Sequence, residues 1–296
     1  MKIVDEKSLQ TQAQNFLKRI SFEQLKKLLG LERLKINEMT LSLSKLVQLF
    51  IQYCYEKWSC AKHFWYVQKQ LHASTGRLFV SYSVLMKWFA RLDGILNLWM
   101  QKHKAKTTQS SLLFADSKKL LLGNGHHWVK VMGKNASIGH SSLGSFFGMK
   151  LHVVMNEQNQ ICSFGITPGS VHDLTYAKEC LFKGLIGKMY ADKGYVDKSF
   201  RFQLAQTQHL HLWVPPKSNQ IYSSDEALRY ALDWKYNHSK MYGKRQGIER
   251  LFAKLQRSFG LSIQGCKNVH MAHAKVYASM LAYTLTSQEL VQFQTI

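Results

Sequence analysis

Leu112-Leu113-Phe114-Ala115-Asp116 is the stretch on which the fold turns: four apolar residues in a row, then a carboxylate, with no turn signal before Ser117. It reads as a buried strand, residues 111–116, that ends on an acid. A second run of the same build is Met189-Tyr190-Ala191-Asp192, followed at once by Lys193-Gly194-Tyr195. A carboxylate at the end of a buried strand is costly unless a cation compensates it, and a divalent metal is the usual one. A third acid, Glu249, lies in Arg245-Gln246-Gly247-Ile248-Glu249-Arg250-Leu251-Phe252, a segment with helical spacing.

Around these runs the periodicity alternates between strand and helix. Phe147, Met149, Leu151 and Val153 give a strand over 146–155, and Asn156–Asn159 turns it back as a hairpin into 160–167. A helix is expected over 173–182, a strand over 188–191, a helix over 199–207, and a strand over 210–214 stopped by Pro215-Pro216. A long helix over 244–259 carries Ile248, Leu251, Phe252, Leu255 and Phe259 as its apolar stripe, and an amphipathic helix over 271–293 ends the chain. That order indicates an α/β fold with a mixed sheet, helices on its faces and ligands gathered at strand ends.

The first hundred residues read differently, as helices without proline. Leu43, Leu46, Leu49, Phe50 and Tyr53 form one stripe; Leu85, Trp88, Phe89, Leu92, Ile95, Leu96 and Trp99 form another over 83–99, with Ser81 or Ser83 as N-cap. A third helix fits 59–71, closed by a turn at 74–76. Lys62, Lys69, Arg77, Lys87 and Arg91 on these helices are compatible with a helix-turn-helix on DNA, Lys87 and Arg91 above all; a helical bundle with solvated lysines is the plain alternative. The polar, basic segment 101–110 reads as a linker. The domains expected are therefore 1–105, helical and DNA-binding; 106–265, the α/β domain; and 266–296, a terminal helix packed on that core.

Composition narrows the partner. The formal charge of +22 and pI near 9.8 are spread over both halves of the chain and call for a polyanion, nucleic acid ahead of an acidic membrane. Five cysteines without a C-x-x-C pair argue against a disulfide framework or structural zinc and fit a reducing cytoplasm. No apolar run approaches the ~18 residues needed to span a bilayer, and no signal-peptide stretch opens the chain.

Each acid has a bland reading as well. Glu249 could pair with Arg245 one helical turn away, Asp192 could open the turn at Lys193-Gly194, and Asp173 could cap its helix. His172 reads as a partly buried histidine. His209-Leu210-His211 could put two imidazoles on one strand face, as metal-dependent nucleases with a tyrosine nucleophile do, but no third ligand is evident. His126, His127 and His140 lack the spacing of a zinc site. The segment 118–140, with Lys118, Lys119 and Trp128, reads as a DNA-contacting excursion or a solvated loop, and so does Lys217 with Asn219 beyond the prolines.

Taken together, Asp116-Ser117, then Phe147-Gly148-Met149-Lys150-Leu151-His152, then Ile166-Thr167-Pro168-Gly169-Ser170-Val171-His172-Asp173, then Ala191-Asp192-Lys193-Gly194-Tyr195 resemble bacterial insertion-sequence transposases of the DDE type, nearest the insertion-sequence 982 family. Tyr242, Arg245 and Glu249 match the Tyr-x2-Arg-x3-Glu signature of that broad class. The resemblance implies a ribonuclease H-like catalytic core behind an all-α DNA-binding region. It implies Asp116, Asp192 and Glu249 as ligands of two Mg²⁺ or Mn²⁺ ions, with Asp173, Tyr242, Arg245, Lys193 and Arg257 in support. It further implies cleavage at terminal inverted repeats followed by strand transfer into target DNA, by a cytoplasmic, nucleoid-associated protein that can act as a homodimer on paired ends. Two positions depart from the pattern. Gln256 stands where a basic residue is expected seven after the glutamate, Arg257 being the better substitute, and Lys118-Lys119-Leu120 stands where proline is usual. An inactive copy that only binds DNA, or a ribonuclease H-like nuclease that cuts without joining, are the alternatives.

Overall fold

The apolar run that opens Leu112–Leu121 builds β1, the strand from which the rest of the sheet is laid out. In the computed structural model the described residues are 6–294, apart from 22–23, 25–27, 29–40, 57, 59, 74–78, 124–131, 142–143 and 218–220. The turn expected at 74–76, Arg77, His126, His127, Trp128 and Asn219 lie outside the described residues. The chain divides into residues 104–253 and a second unit of residues 1–103 with 254–296.

In the unit of residues 104–253, β1 is joined by β2 (Ser137–Ser141), β3 (Gly144–Asn156), β4 (Ile161–Pro168), β5 (Gly187–Ala191) and β6 (Leu210–Trp213). β1 pairs antiparallel with β3 and parallel with β5; β5 pairs parallel with β6, and β3 carries both β2 and β4 antiparallel. The order β4-β3-β1-β5-β6, with β3 alone reversed against its neighbours on the β1 side and two parallel strands on the other, is the ribonuclease H-like arrangement. The expected hairpin is β3–β4, turned at Asn159 in the left-handed region. β2 and the helical stretch at 225–243 had no counterpart in the sequence reading. Residues 104–110, expected to be a linker, are fastened to the sheet: Ala105 N donates to Ile161 O at 2.8 Å and Ile186 N to Thr107 Oγ1 at 3.1 Å.

Side chains of odd-numbered Leu113, Ala115, Met189 and Ala191 point into a core with Leu181, Phe182, Phe200, Leu204, Leu210 and Leu212. That face is covered by α6 (Asp173–Tyr176), which continues as a π-helical turn to Leu181, and by α7 (Lys198–Gln208), capped by Asp197 accepting from Phe200 N. The opposite face carries Phe114 and Tyr190, and meets α8 (Asp225–Asp233), the π-helical turn Trp234–His238 and α9 (Ser239–Gly243); Tyr190 Oη lies 2.9 Å from His238 Nδ1. α10 (Gln246–Ser258) follows on. Gly148 permits the β1–β3 pairing, because a Cβ there would stand 2.0 Å from the Leu120 carbonyl oxygen. Gly148→Ala is expected to cost about 2 kcal/mol in urea unfolding; an unchanged midpoint would mean that β3 shifts without strain.

The other unit is helical: α1 (Glu6–Leu17), α2 (Leu43–Tyr55), α3 (Ala61–Ala73), α4 (Tyr82–Arg91), α5 (Asp93–Lys102) and α11 (Val269–Gln294). Ser42 and Ser81 cap α2 and α4 as the sequence suggests. The single helix expected over 83–99 is two, broken at Leu92, where the Asp93 carboxylate accepts Gly94 N at 2.8 Å and starts a new helix. The last helix corrects one expectation. Ala272, Ala274, Val276, Ala278, Met280, Leu281 and Ala282 are all buried, so it is apolar on every side there, not amphipathic. Such a helix needs neighbours all round, and it finds them in α2, α4 and α5.

Candidate active site

The parallel pairing of β1 with β5 ends at Ala115↔Ala191, and the next residue of each strand is an aspartate. Asp116 does not end its strand, as the sequence suggested. β1 runs on to Leu121 along β3, with Asp116 opposite Val153, so Asp116 sits at a fork where one neighbour leaves and the other stays. β5 does end before Asp192, which caps the short 3-10 turn Lys193–Tyr195 by accepting Lys193 N at 2.7 Å. Alternation puts Asp116 with Phe114, and Asp192 with Tyr190, on the same face one strand spacing apart, about 4.8 Å.

Arg245 reaches this fork from the turn before α10. Its backbone N–H donates to Tyr242 O at 2.8 Å, and its guanidinium stands 5.4 Å from the Tyr242 ring centre. Nη1 donates to Asp116 Oδ2 at 2.5 Å and Nη2 to Glu249 Oε1 at 3.0 Å. The ion pair Arg245–Glu249 that served as the bland alternative is therefore present, yet the same guanidinium draws Glu249 and Asp116 together across 133 residues of sequence. Burial raises the Asp116 carboxyl above its ordinary range; Arg245 and the Ser117 amide oppose the rise, and Asp192 adds to it. Burial works against the charge on Arg245, but Asp116, Tyr242, Asp192 and Glu249 outweigh it and the group is held more firmly protonated.

Beneath the fork, Tyr195 is buried and its hydroxyl has no hydrogen-bond partner among the described residues. Burial, then Asp173, Asp116 and Asp192, push that phenol well above its usual range, so it stays neutral and keeps a proton to donate. No sequence signal marked it beyond its place in Asp192-Lys193-Gly194-Tyr195.

Asp173 is not the cap of its helix. His172 takes that position, accepting Leu174 N at 3.3 Å. Asp173 turns instead to the other face of β1, where Ser117 Oγ donates to Oδ2 at 2.8 Å and Lys150 Nζ donates to Oδ1 at 2.9 Å. Lys150 also donates to Val171 O, fixing the segment that leads into α6. His152, buried beside Asp173 and held by Thr167 Oγ1 at 2.8 Å, has its pKa lowered by burial to about 4 and is neutral. Through Ser117, whose backbone N–H donates to Asp116 Oδ1 at 2.8 Å, Asp173 adjoins the first acid without facing it.

The remaining candidates scatter. Lys118 lies on the Asp116 face of β1 and Lys119 on the opposite face, its ammonium 5.4 Å from the Phe146 ring centre. Lys193 and Lys217 are exposed, on the turns that follow β5 and β6. In the helical unit Lys87 is exposed on α4, and Arg91 stacks over Trp88 at 5.5 Å. Arg257 is exposed on α10. His209 is the left-handed C-cap of α7 and His211 lies in β6, so the two do not line one strand face. His140 pairs with Ser145.

Among the described residues no group of three or more His, Cys, Asp or Glu side chains is drawn close enough to hold a metal ion. The donors at the fork are nonetheless all hard carboxylate oxygens, the kind that Mg²⁺ and Mn²⁺ select. A cation already bridges two of them, in the form of the Arg245 guanidinium. The residues fit a divalent metal provided that Arg245 yields its place on Asp116.

Fold and fork together define a ribonuclease H-like phosphoryl-transfer protein, with one acid on a strand, one just beyond the end of the adjacent parallel strand and one on a following helix. A family model described as the transposase DDE domain matches residues 106–263, and the chain belongs to that family of DDE transposases. No curated protein matches. Among solved structures, the chain is similar to the Mos1 strand transfer complex at 12% identity, covering 86% of this chain and 97% of that one with a TM-score of 0.23. The Mos1 transposase paired-end complex with left transposon end gives 10% identity, the same coverage and a TM-score of 0.21. Likeness that low adds nothing to the family match. Among the described residues no helix is long and apolar enough to cross a membrane.

Proposed function

We propose that this transposase cleaves DNA at the ends of an insertion sequence and joins them to target DNA, with Asp116, Asp192 and Glu249 as the ligands of two divalent ions. The observation that carries the reading is the fork: two aspartates leave one sheet face side by side, and a single cationic group links the first of them to Glu249. Mg²⁺ or Mn²⁺ bound there would supply Lewis-acid activation of water and of the scissile phosphate.

The chain's own groups have distinct tasks. Asp116 and Asp192 give the site its negative charge from rigid strand positions. Glu249 is far more exposed than Asp116, with 56% of its side chain accessible against 22%, and can swing inward as Arg245 moves off Asp116. Arg245, supported by Tyr242, then carries a positive charge beside the phosphate, and Lys118 and Lys193 add to it from the two strands. The overall charge of +22 holds duplex DNA, and Lys87, Arg91, Lys119, Lys217 and Arg257 are candidate backbone contacts. A homodimer on paired ends and a bacterial, nucleoid-associated location belong to the same reading, as does kinship with the insertion-sequence 982 family.

The direct test is cleavage and joining of inverted-repeat DNA in Mg²⁺, paired with Mn²⁺ titration by calorimetry. Cutting without joining of pre-cut ends would select a nuclease, and DNA binding with neither would select an inactive copy.

Asp173 is assigned a positioning role. Asp173→Asn is expected to weaken the link to Lys150 and Ser117, costing about 1–2 kcal/mol and roughly a tenfold loss in cleavage rate, with Mn²⁺ affinity retained. Loss of Mn²⁺ binding would instead make Asp173 a ligand.

A further inference from the structure

Lys275, on α11, stands out in the helical unit as a cation among apolar neighbours: Ala274 and Val276 on either side of it are fully buried. Its ammonium sits over the Tyr53 ring, 5.4 Å from the ring centre, and close to the thiols of Cys54 and Cys266. Burial works against its charge, and only in their ionised forms would Cys266, Tyr53 and Cys54 offset that. Those three groups are themselves uncharged at neutral pH: burial pushes the Cys54 thiol up to about 12, and raises Tyr53 and Cys266 as well. Among the described residues no carboxylate forms an ion pair with Lys275. A partly buried ammonium without a counter-charge is expensive.

This ammonium lines a cleft of about 580 Å³. The remaining wall includes Gln256 on α10, Ser262, Gln264 and Trp58, and no carboxylate is among the lining residues. Gly260 and Gly265, both in the left-handed region, bend the chain around the opening, and a Cβ on Gly260 would stand 1.9 Å from the Cys54 carbonyl oxygen. Hydroxyl and amide donors gathered about one uncompensated cation are the chemistry of an oxyanion site. Gln256 holds the position, two turns beyond Glu249 on the same helix, where a basic residue was expected. It brings a donor to the cleft but no charge, and Lys275 brings the charge.

We infer that this cleft holds a phosphodiester of the DNA backbone, with Lys275 as its counter-ion and Gln256 and Ser262 as neutral donors. The identity of the anion rests on the transposase reading; the existence of an anion site does not.

The test compares wild type, Lys275→Met and Lys275→Arg, in full-length protein. Two probes are used: inorganic phosphate against chloride at matched ionic strength, read by thermal unfolding, and a short mixed-sequence duplex, read by affinity across a salt series. Phosphate is expected to raise the melting temperature of wild type and not of Lys275→Met. Met at 275 is expected to weaken duplex binding roughly tenfold and to lower the salt slope by about 0.9, one phosphate contact, while Lys275→Arg keeps both. Duplex binding by Lys275→Met with an unchanged slope overturns the inference and leaves the transposase reading standing. Absence of duplex binding by wild type sinks that reading, and a Lys275-dependent phosphate effect would then still establish the anion site. A phosphate effect that survives in Lys275→Met overturns the site itself.

Discussion

Asp116→Asn and Asp192→Asn are each expected to reduce Mg²⁺-dependent cleavage of inverted-repeat DNA by roughly a thousandfold or more, equivalent to about 4 kcal/mol of transition-state stabilisation. The amide keeps the shape of the carboxylate and removes the charge that a divalent ion needs. Neither change should unfold the protein. Asp116 is raised in pKa mainly by burial, so making it neutral relieves a desolvation cost even as the bond to Arg245 weakens. Calorimetry should register loss of Mn²⁺ binding in both variants, with duplex affinity kept or slightly improved through lower repulsion. Cleavage at the wild-type rate in either variant would falsify the assignment. Glu249→Gln should follow the same pattern.

Arg245→Gln is the second large effect, and its sign depends on what else is in the site. Without metal, the substitution leaves Asp116 and Glu249 facing each other and Asp192 with no cation between them, at an expected cost of about 3 kcal/mol, the lower end for a broken buried pair. Asp116 keeps 22% of its side chain accessible and Arg245 15%, so water offsets part of the loss. The acid is then raised further, because Arg245 is the largest influence now opposing burial. An acid whose folded pKa is raised binds its proton more tightly when folded. Stability is therefore highest below the ordinary Asp range and falls as pH climbs through the raised value. The metal-free variant should recover on mild acidification, and at neutral pH Mn²⁺ should raise its melting temperature more than that of wild type. An equal Mn²⁺ shift in both proteins would show that Arg245 does not occupy the cation position.

Much of this site was legible because its parts are local. Leu112–Asp116 and Met189–Asp192 each announce a buried strand with an acid at its edge, and Tyr242, Arg245 and Glu249 keep helical spacing. What local pattern could not give was direction. Asp173 has the look of an N-cap, yet His172 takes the cap, and the carboxylate turns to Lys150 and Ser117 from two other strands. Arg245 reads as the partner of Glu249 one turn away, and only the pairing of β1 with β5 brings Asp116 within its reach.

The last helix makes the same point about packing. Its small and large apolar residues read as one stripe, because alanine is compatible with either a buried or an exposed surface. In the structure alanines at 272, 274, 278 and 282 are buried on several sides at once, and the helix becomes the centre of the N-terminal bundle.

The sequence by itself marked five of the six described strands, the three candidate acids and the basic character, since hydrophobic period and residue chemistry are written within a few positions of each other. Tertiary structure alone decided which face Asp173 serves, that Asp116 stands mid-strand at a fork, that one guanidinium links two of the acids, and that Lys275 shares a cleft with Gln256. Those are distances between residues far apart in the chain, fixed by strand pairing and by burial, and no local period encodes them.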